Sequence, residues 1–261
     1  MTESSITSAS VAEQRLPLGT WLRMYLRLFA VQGAWNYETM IGNGIAFCTE
    51  PALRMLPGGL DGLRYSEALG RHARYFNAHP YFAGVAVGAL ARAELDGVPA
   101  AMIERFRTAL GGPLGSVGDR LVWASWLPLC SLIAIGAFGL GARPLLVIAI
   151  FLGIYNIGHF ALRAWGLRVG FQRGLRVADA LAHPVLRKGP QLVGTLAALI
   201  AGVSIPLAAR EVIGGGRNLS ALIIVLAIAG GLFFTRLGGR VEGWRISLIV
   251  LALFVLFSVI R

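Results

Sequence analysis

The sequence predicts an all-α integral membrane protein, with an amphipathic and re-entrant helical N-terminal half followed by about five transmembrane helices. Three observations carry that expectation. Of 261 residues, 56% are hydrophobic and 14% charged, against a charged share of about 25% in soluble domains. Mean hydropathy is +0.68, and apolar runs of membrane-crossing length recur through the second half. The net charge of +11 is uneven: residues 1–120 hold 11 basic and 10 acidic side chains, and residues 121–261 hold 13 and 3. Basic residues set between apolar runs are a topology signal. Nucleic-acid binding would need a basic face on a polar module, which the second half lacks, so nucleic acid is not an expected partner.

The elements follow in order. Residues 1–17 are Ser/Thr/Ala-rich and are expected to form a disordered tail. They lack the cationic start and apolar core of a secretory signal, which places the N-terminus in the cytoplasm. Residues 18–261 read as one membrane domain, with amphipathic helices and hairpins over 18–120 and transmembrane helices over 121–261. Thr20, Arg23 and Arg27 make a polar stripe at helical spacing, and Trp21, Leu22, Tyr25, Leu28 and Phe29 cover the rest, the pattern of a helix lying at a membrane interface. Ser66 can cap a helix over Ser66–Asn77 that Pro80 ends, with Leu69, Ala73 and Phe76 on one face. Pro99 opens another, with Ile103, Phe106 and Leu110 inward and Glu104, Arg105 and Arg107 outward.

Two apolar runs, Ile41–Leu53 and Tyr81–Ala91, fall short of the roughly 20 residues a span needs. Gly42, Gly44 and Pro51 interrupt the first, and Gly84 and Gly88 space the second. Such pieces resemble re-entrant hairpins, since irregular backbone at membrane depth is tolerated where it faces protein or a watery cavity. The alternative is a pair of buried helices in a cytoplasmic subdomain.

The five candidate spans are Leu121–Ala142, Pro144–Leu162, Gln191–Ala209, Leu219–Thr235 and Ile246–Ile260. Six basic residues between Arg163 and Lys188 and three between Arg236 and Arg245 mark the cytoplasmic loops under the positive-inside rule. The C-terminus then lies outside.

Few constellations offer chemistry. The glycine-rich segment Gly111–Asp119 lacks the Lys-Ser/Thr of a phosphate loop and has Asp119 after Gly118, which would repel phosphate. It reads as a tight turn into the first span capped by Asp119, or as backbone amides and Asp119 lining a polar site. Trp35, Asn36, Tyr37 and Glu38, followed by Asn43 and Glu50, set aromatic faces beside amides and carboxylates. Sugar sites use these types, because a ring covers the apolar side of a pyranose while amides and carboxylates bond its hydroxyls; interfacial aromatic anchoring is the competing account. His72 and His79 are seven positions apart and lack a third nearby ligand for a metal. Asn156 and His159 share one face of a span, suited to helix–helix hydrogen bonding or to substrate contact. Cys48 and Cys130, 82 positions apart in apolar surroundings, suggest inert thiols. No catalytic set, metal box or cofactor motif is evident.

Taken together, three blocks resemble the IID membrane component of mannose-class sugar phosphotransferase systems. They are Gln32–Glu38, then Arg71-His72 through Phe76-Asn77-Ala78-His79-Pro80-Tyr81, and Gly112–Asp119; Tyr155-Asn156 and Arg163 continue the pattern. The resemblance implies a non-catalytic subunit of the bacterial inner membrane, without a cofactor. Such a subunit pairs with a IIC membrane subunit as a hetero-oligomer and forms the path for a mannose-type hexose. Cytoplasmic IIA and IIB components carry the phosphoryl group, and IIB phosphorylates the sugar on entry. Trp35, Asn36, Glu38, Asn77 and Asp119 are then expected near the sugar path. Gly112, Pro113, Gly115 and Gly118 would shape a hairpin bearing Asp119, and His79 and Asn156 belong to the same motifs as structural residues. The sequence departs from the family at Arg120, where proline is usual, and in a short Pro206–Leu219 region. A non-transporting scaffold or regulatory sensor is the alternative reading.

Overall fold

The computed structural model describes residues 16–213. Most of the expected tail and the last two candidate spans, Leu219–Thr235 and Ile246–Ile260, lie outside the described residues. Within them the chain is helical, with two isolated bridges, Asn36–Met40 and Met40–Phe76. Three helical stretches are long and apolar enough to cross a membrane: Ala100–Gly139, Pro144–Leu181 and Leu186–Val212. The described residues divide into two compact units, 16–128 with Leu152–Gly194, and Leu129–Phe151 with 195–213.

In the first unit, α1 (Leu18–Arg27) buries only Met24 and leaves Leu18, Leu22 and Leu26 outward, as an interfacial helix would. Both short apolar runs are helices packed in the core. Helix α2 (Gly42–Leu53) carries Pro51 inside it. Proline has no N–H to offer the carbonyl four residues back, and Arg27 Nη1 donates to that Phe47 carbonyl instead, at 2.8 Å. Helix α3 spans Leu63–Ala73 with Gly62 at its N-cap, earlier than the sequence suggested. Ser66 is no cap: it lies inside the first turn and donates to the Leu63 carbonyl at 2.9 Å.

Helix α4 (Ala83–Leu95) buries 11 of its 13 residues, as expected of a helix apolar on every side. It meets α7 (Pro144–Arg173) through paired small residues. A Cβ on Gly84 would stand 2.9 Å from the Arg163 carbonyl oxygen, and one on Gly88 2.6 Å from Phe171 N. On the other side a Cβ on Gly166 would stand 3.1 Å from Val85 N, and one on Gly170 3.0 Å from Ala89 N. Glycines spaced four apart on both helices thus let two backbones touch.

Helix α5 (Ala100–Gly118) begins after Pro99 as expected, but it does not stop at the glycines. It continues through a π-helical turn, Asp119–Trp126, into α6 (Leu127–Gly139). The segment holding Gly112, Pro113, Gly115 and Gly118 is therefore helix rather than a turn or hairpin, and Asp119 continues the helix rather than capping a new one. The glycines serve close approach instead. A Cβ on Gly111 would meet the Asn77 carbonyl at 2.9 Å, and Gly118 lies directly under the His79 ring. In the π turn, Ser125 Oγ reaches back five residues to the Arg120 carbonyl at 2.7 Å. Arg107 faces inward, contrary to its expected exposure. It is buried and donates to the carbonyls of His72 and Arg74 at the end of α3, where a cation offsets the helix dipole.

After α7, the short helix α8 (Val177–Leu181) leads into α9 (Pro184–Ile213). In the second unit, α6 and α9 pack through small residues, Gly136 against Ser204 and Gly139 against Leu207 and Ala208. Leu140, Leu145, Leu199 and Val203 point outward, the surface expected against lipid.

Candidate functional site

The motif blocks of the sequence come together through main chain. Asn36 builds the first: its Oδ1 accepts from the backbone N–H groups of Glu38 and Thr39 at 2.9 and 2.8 Å. Its Nδ2 donates to Thr39 Oγ1 at 2.9 Å. This side-chain turn delivers Met40 in the left-handed region at φ 52. The loop then pairs with the second block: Phe76 N donates to the Thr39 carbonyl and Ile41 N to the Phe76 carbonyl, each at 3.1 Å. The next residues, Asn77 and His79, rest on Gly111, just before the third block, and on Gly118 within it.

Of the expected path residues, Trp35, Glu38, Asn77 and Asp119 are exposed on these segments, with Trp35 edge-on to Tyr37 at 4.8 Å. Asn36 is spent on its own turn. Among the described residues no hydrogen bond or ion pair joins Trp35, Glu38, Asn77 and Asp119 to one another. The backbone gathers the motifs, and their side chains remain open.

His79 lies at the junction, 2% exposed. Its Nδ1 accepts from Tyr81 N at 3.2 Å, so the neutral ring carries its proton on Nε2. Burial pushes its pKa down to about 4, against the pull of the Asp119 carboxylate and with the help of Arg163. From His79 an aromatic seam runs onward. Its ring lies 5.2 Å from Trp123, Tyr81 stacks on His159 at 4.1 Å, and the Tyr81 and Tyr155 hydroxyls are 2.6 Å apart.

Arg163 closes the seam. Its Nε donates to His159 Nε2 at 2.7 Å, and its Nη1 donates to the carbonyls of Leu28 and Pro80. Its guanidinium covers the Tyr81 and Phe29 rings at 5.0 and 5.4 Å. The sequence counted Arg163 among loop cations; it is instead 3% exposed and has no carboxylate partner among the described residues. Carbonyl dipoles and ring faces replace an anion. The signal that could have found the seam was Tyr155, His159 and Arg163 at steps of four on one helix face, since an ionisable group inside an apolar span is expensive to place. Asn156 holds Leu152 by its amide and lies 3.4 Å from His159 Nδ1 by its oxygen.

Two buried carboxylates frame the unit and are structural ties. Glu50 accepts from Arg27 at 2.6 Å, Arg54 at 2.5 Å and the Tyr65 hydroxyl at 3.1 Å. Burial draws its pKa up, but these hydrogen bonds outweigh it and hold the carboxyl below the usual glutamate range. Glu94 receives Arg71 Nη2 on both oxygens, at 3.0 and 3.2 Å, with His72 Nε2 3.0 Å away. Against the upward pull of burial, His72 and Arg71 lower its pKa. His72 and His79 thus serve different neighbours and do not form a pair. Among the described residues no group of three or more His, Cys, Asp or Glu could hold a metal.

The comparisons with known proteins agree with one another. Residues 16–259 match the family described as "PTS system mannose/fructose/sorbose family IID component". The mannose-specific EIID component of Escherichia coli O6:H1 is 27% identical over 225 residues, 81% of this chain and 78% of that protein. The sorbose-specific component of Klebsiella pneumoniae is 29% identical over 197 residues, 73% and 70% of the two chains. The fructose permease IID component of Bacillus subtilis is 28% identical over 217 residues, 77% and 76%. In fold, the chain is similar to one in a structure of the mannose transporter ManYZ with microcin E492, with a TM-score of 0.54, 20% identity, and 95% and 97% of the two chains covered. With a match over nearly its whole length, the chain belongs to the mannose/fructose/sorbose family of phosphotransferase-system IID components, the membrane subunits of sugar transporters.

Proposed function

We propose that this subunit forms, with a IIC partner, the path by which a mannose-type hexose enters the cell and is phosphorylated by a IIB component. The observation that supports this is the linkage of the three motif blocks within the first unit, through Thr39 and Ile41 to Phe76 and through Asn77 and His79 to Gly111 and Gly118, with Trp35, Glu38, Asn77 and Asp119 exposed on those segments. An aromatic face with amide and carboxylate groups beside it suits a pyranose. In this reading Asn36 sets the loop that presents Trp35 and Glu38, and α2 and α4 are the re-entrant elements at membrane depth. The full chain crosses the membrane five times, with the N-terminus cytoplasmic and the C-terminus outside. Mannose, fructose and sorbose, named for its relatives, are the substrates to try first.

The test is phosphoenolpyruvate-dependent uptake of labelled hexoses by vesicles holding this chain, its IIC partner and the soluble components. Alanine at Glu38, Asn77 or Asp119 should lower uptake without lowering the yield of assembled complex. Unchanged uptake in all three would remove the path assignment. Reduced complex yield with intact sugar binding by the remaining complex would instead favour the scaffold reading, for which the supporting observation is Asn36, whose side chain bonds within its own loop.

A further inference from the structure

We propose that the groove between α7, α8 and the start of α9 holds one anionic phospholipid, its acyl chain against α7 and its phosphate at Arg173 and His183. The groove, about 860 Å³, changes character along its length. Its deep wall is apolar, formed by Gly158, Ala161 and Trp165 of α7 and Leu192 of α9, and its polar lining is Gln172, Arg173, His183 and one carboxylate, Asp179. Both walls belong to the first unit.

Depth matches a lipid. Arg168 is the first exposed arginine on α7 and marks the edge of the hydrocarbon. Gly158 lies ten residues before it, about 15 Å at 1.5 Å per residue, which is half of a hydrocarbon core about 30 Å thick. Arg173 lies five residues beyond, about 7.5 Å further out, at headgroup depth. The groove therefore reaches from midplane to phosphate in one leaflet.

Charge selects the headgroup. Beyond Arg168, from Arg173 to Lys188, the chain holds four basic residues and one acidic residue, Asp179. Basic groups at headgroup depth attract anionic lipid by about 1 kcal/mol each. A zwitterionic lipid would fill the apolar wall equally well and gain little of that attraction.

The experiment uses the full chain, purified in mild detergent with the membrane subunit that accompanies it. Retained lipid is read by native mass spectrometry, and the melting temperature is followed during titration with phosphatidylglycerol, with phosphatidylcholine of the same chains, and with inorganic phosphate. Phosphatidylglycerol should be retained and raise the melting temperature. Arg173→Gln should weaken its apparent affinity about tenfold, the worth of one charge-assisted hydrogen bond, and Ala161→Phe should abolish retention by filling the wall. Arg168→Gln, the same charge change on the same helix outside the groove, should leave affinity unchanged. Leu192→Trp repeats the steric test on the opposite wall in case Ala161→Phe lowers the lipid-free melting temperature. Equal response to phosphatidylcholine, a shift reproduced by phosphate alone, equal loss in Arg168→Gln and Arg173→Gln, or a groove in the assembled complex that takes no lipid would each overturn the assignment.

Discussion

Alanine at Gly88 or Gly170 tests whether α4 and α7 really touch backbone to backbone. A methyl on Gly88 would stand 2.6 Å from Phe171 N and 3.1 Å from Gly170 C; one on Gly170 would stand 3.0 Å from Ala89 N and from Val85 C. These neighbours are main-chain atoms and cannot swing aside. The helices must part by roughly 1 Å to restore ordinary contact distances. Overpacking of this kind costs about 1–3 kcal/mol, and the better helix propensity of alanine returns about 0.5–1 kcal/mol, leaving a net loss of up to about 2.5 kcal/mol at either site. Gly153 lies on the same α7 with nothing within 4 Å of its would-be Cβ. The same substitution there should stabilise by about 0.5–1 kcal/mol. Because one separation relieves both clashes, the double variant Gly88→Ala/Gly170→Ala should lose less than the sum of the singles. Far-UV circular dichroism of purified protein in detergent, followed through thermal or denaturant unfolding, measures all four. Gly88→Ala and Gly170→Ala behaving like Gly153→Ala would refute the contact.

Arg163→Met should cost about 2–4 kcal/mol by leaving the buried Leu28 and Pro80 carbonyls without a donor, and Arg163→Lys, lacking the fork, should recover less than half, as read by the same unfolding. Glu94→Ala should cost about 3 kcal/mol, because the half-buried Arg71 loses its counter-charge; a loss under 1 kcal/mol would make this an ordinary surface pair. His79 is kept neutral by burial, with a folded pKa of about 4 against 6.5. The unfolded chain therefore takes up the proton first as pH falls, and stability drops from about pH 6.5 downward, by about 2 kcal/mol between pH 7.5 and pH 5. His79→Gln should flatten that part of the stability profile, and an unchanged slope would count against the buried ring. Gly112→Ala and Gly115→Ala, which have open space around them, should each be neutral or stabilising by up to about 1 kcal/mol if this segment is helix, whereas a turn with left-handed glycines would be destabilised by both.

Periodicity and proline placement made much of the scaffold legible: α1 with its polar stripe, the helix after Pro99, and the apolar stretches of α6, α7 and α9. The spacing of Gly84 and Gly88 also pointed to unusual packing, which takes the form of a close helix-to-helix contact. What escaped was set by neighbours distant in sequence. Glycine and proline density argued for a turn at Gly111–Gly118, but the Asn77 carbonyl and the His79 ring fill the space that side chains would occupy, so tertiary contact overrode propensity. Arg107 and Arg163 carry charge, and charge reads as surface; only the carbonyls of α3, Leu28 and Pro80, far away along the chain, make burial affordable. The motif blocks were legible as a set because asparagine turns and glycine contacts leave residue-specific marks. The seam of Tyr81, Trp123, Tyr155 and His159 was not, since aromatic rings in apolar runs look like packing until their partners are known.

The Arg163 clasp also has a consequence in time. The Leu28 carbonyl and its guanidinium partner are 135 residues apart, and ribosomes add about 5–20 residues per second. For roughly 7–27 s after Leu28 is made, the cation that will hold it does not yet exist. During that interval residues 129–151, which belong to the second unit, are also made, because the first unit resumes only at Leu152. The early helices therefore wait, loosely docked, for a residue delivered by a later membrane segment. Maturation of this subunit should be gated by insertion of α7, with the N-terminal half protease-sensitive in chains arrested before Arg163 and resistant in chains arrested after the segment has cleared the ribosome.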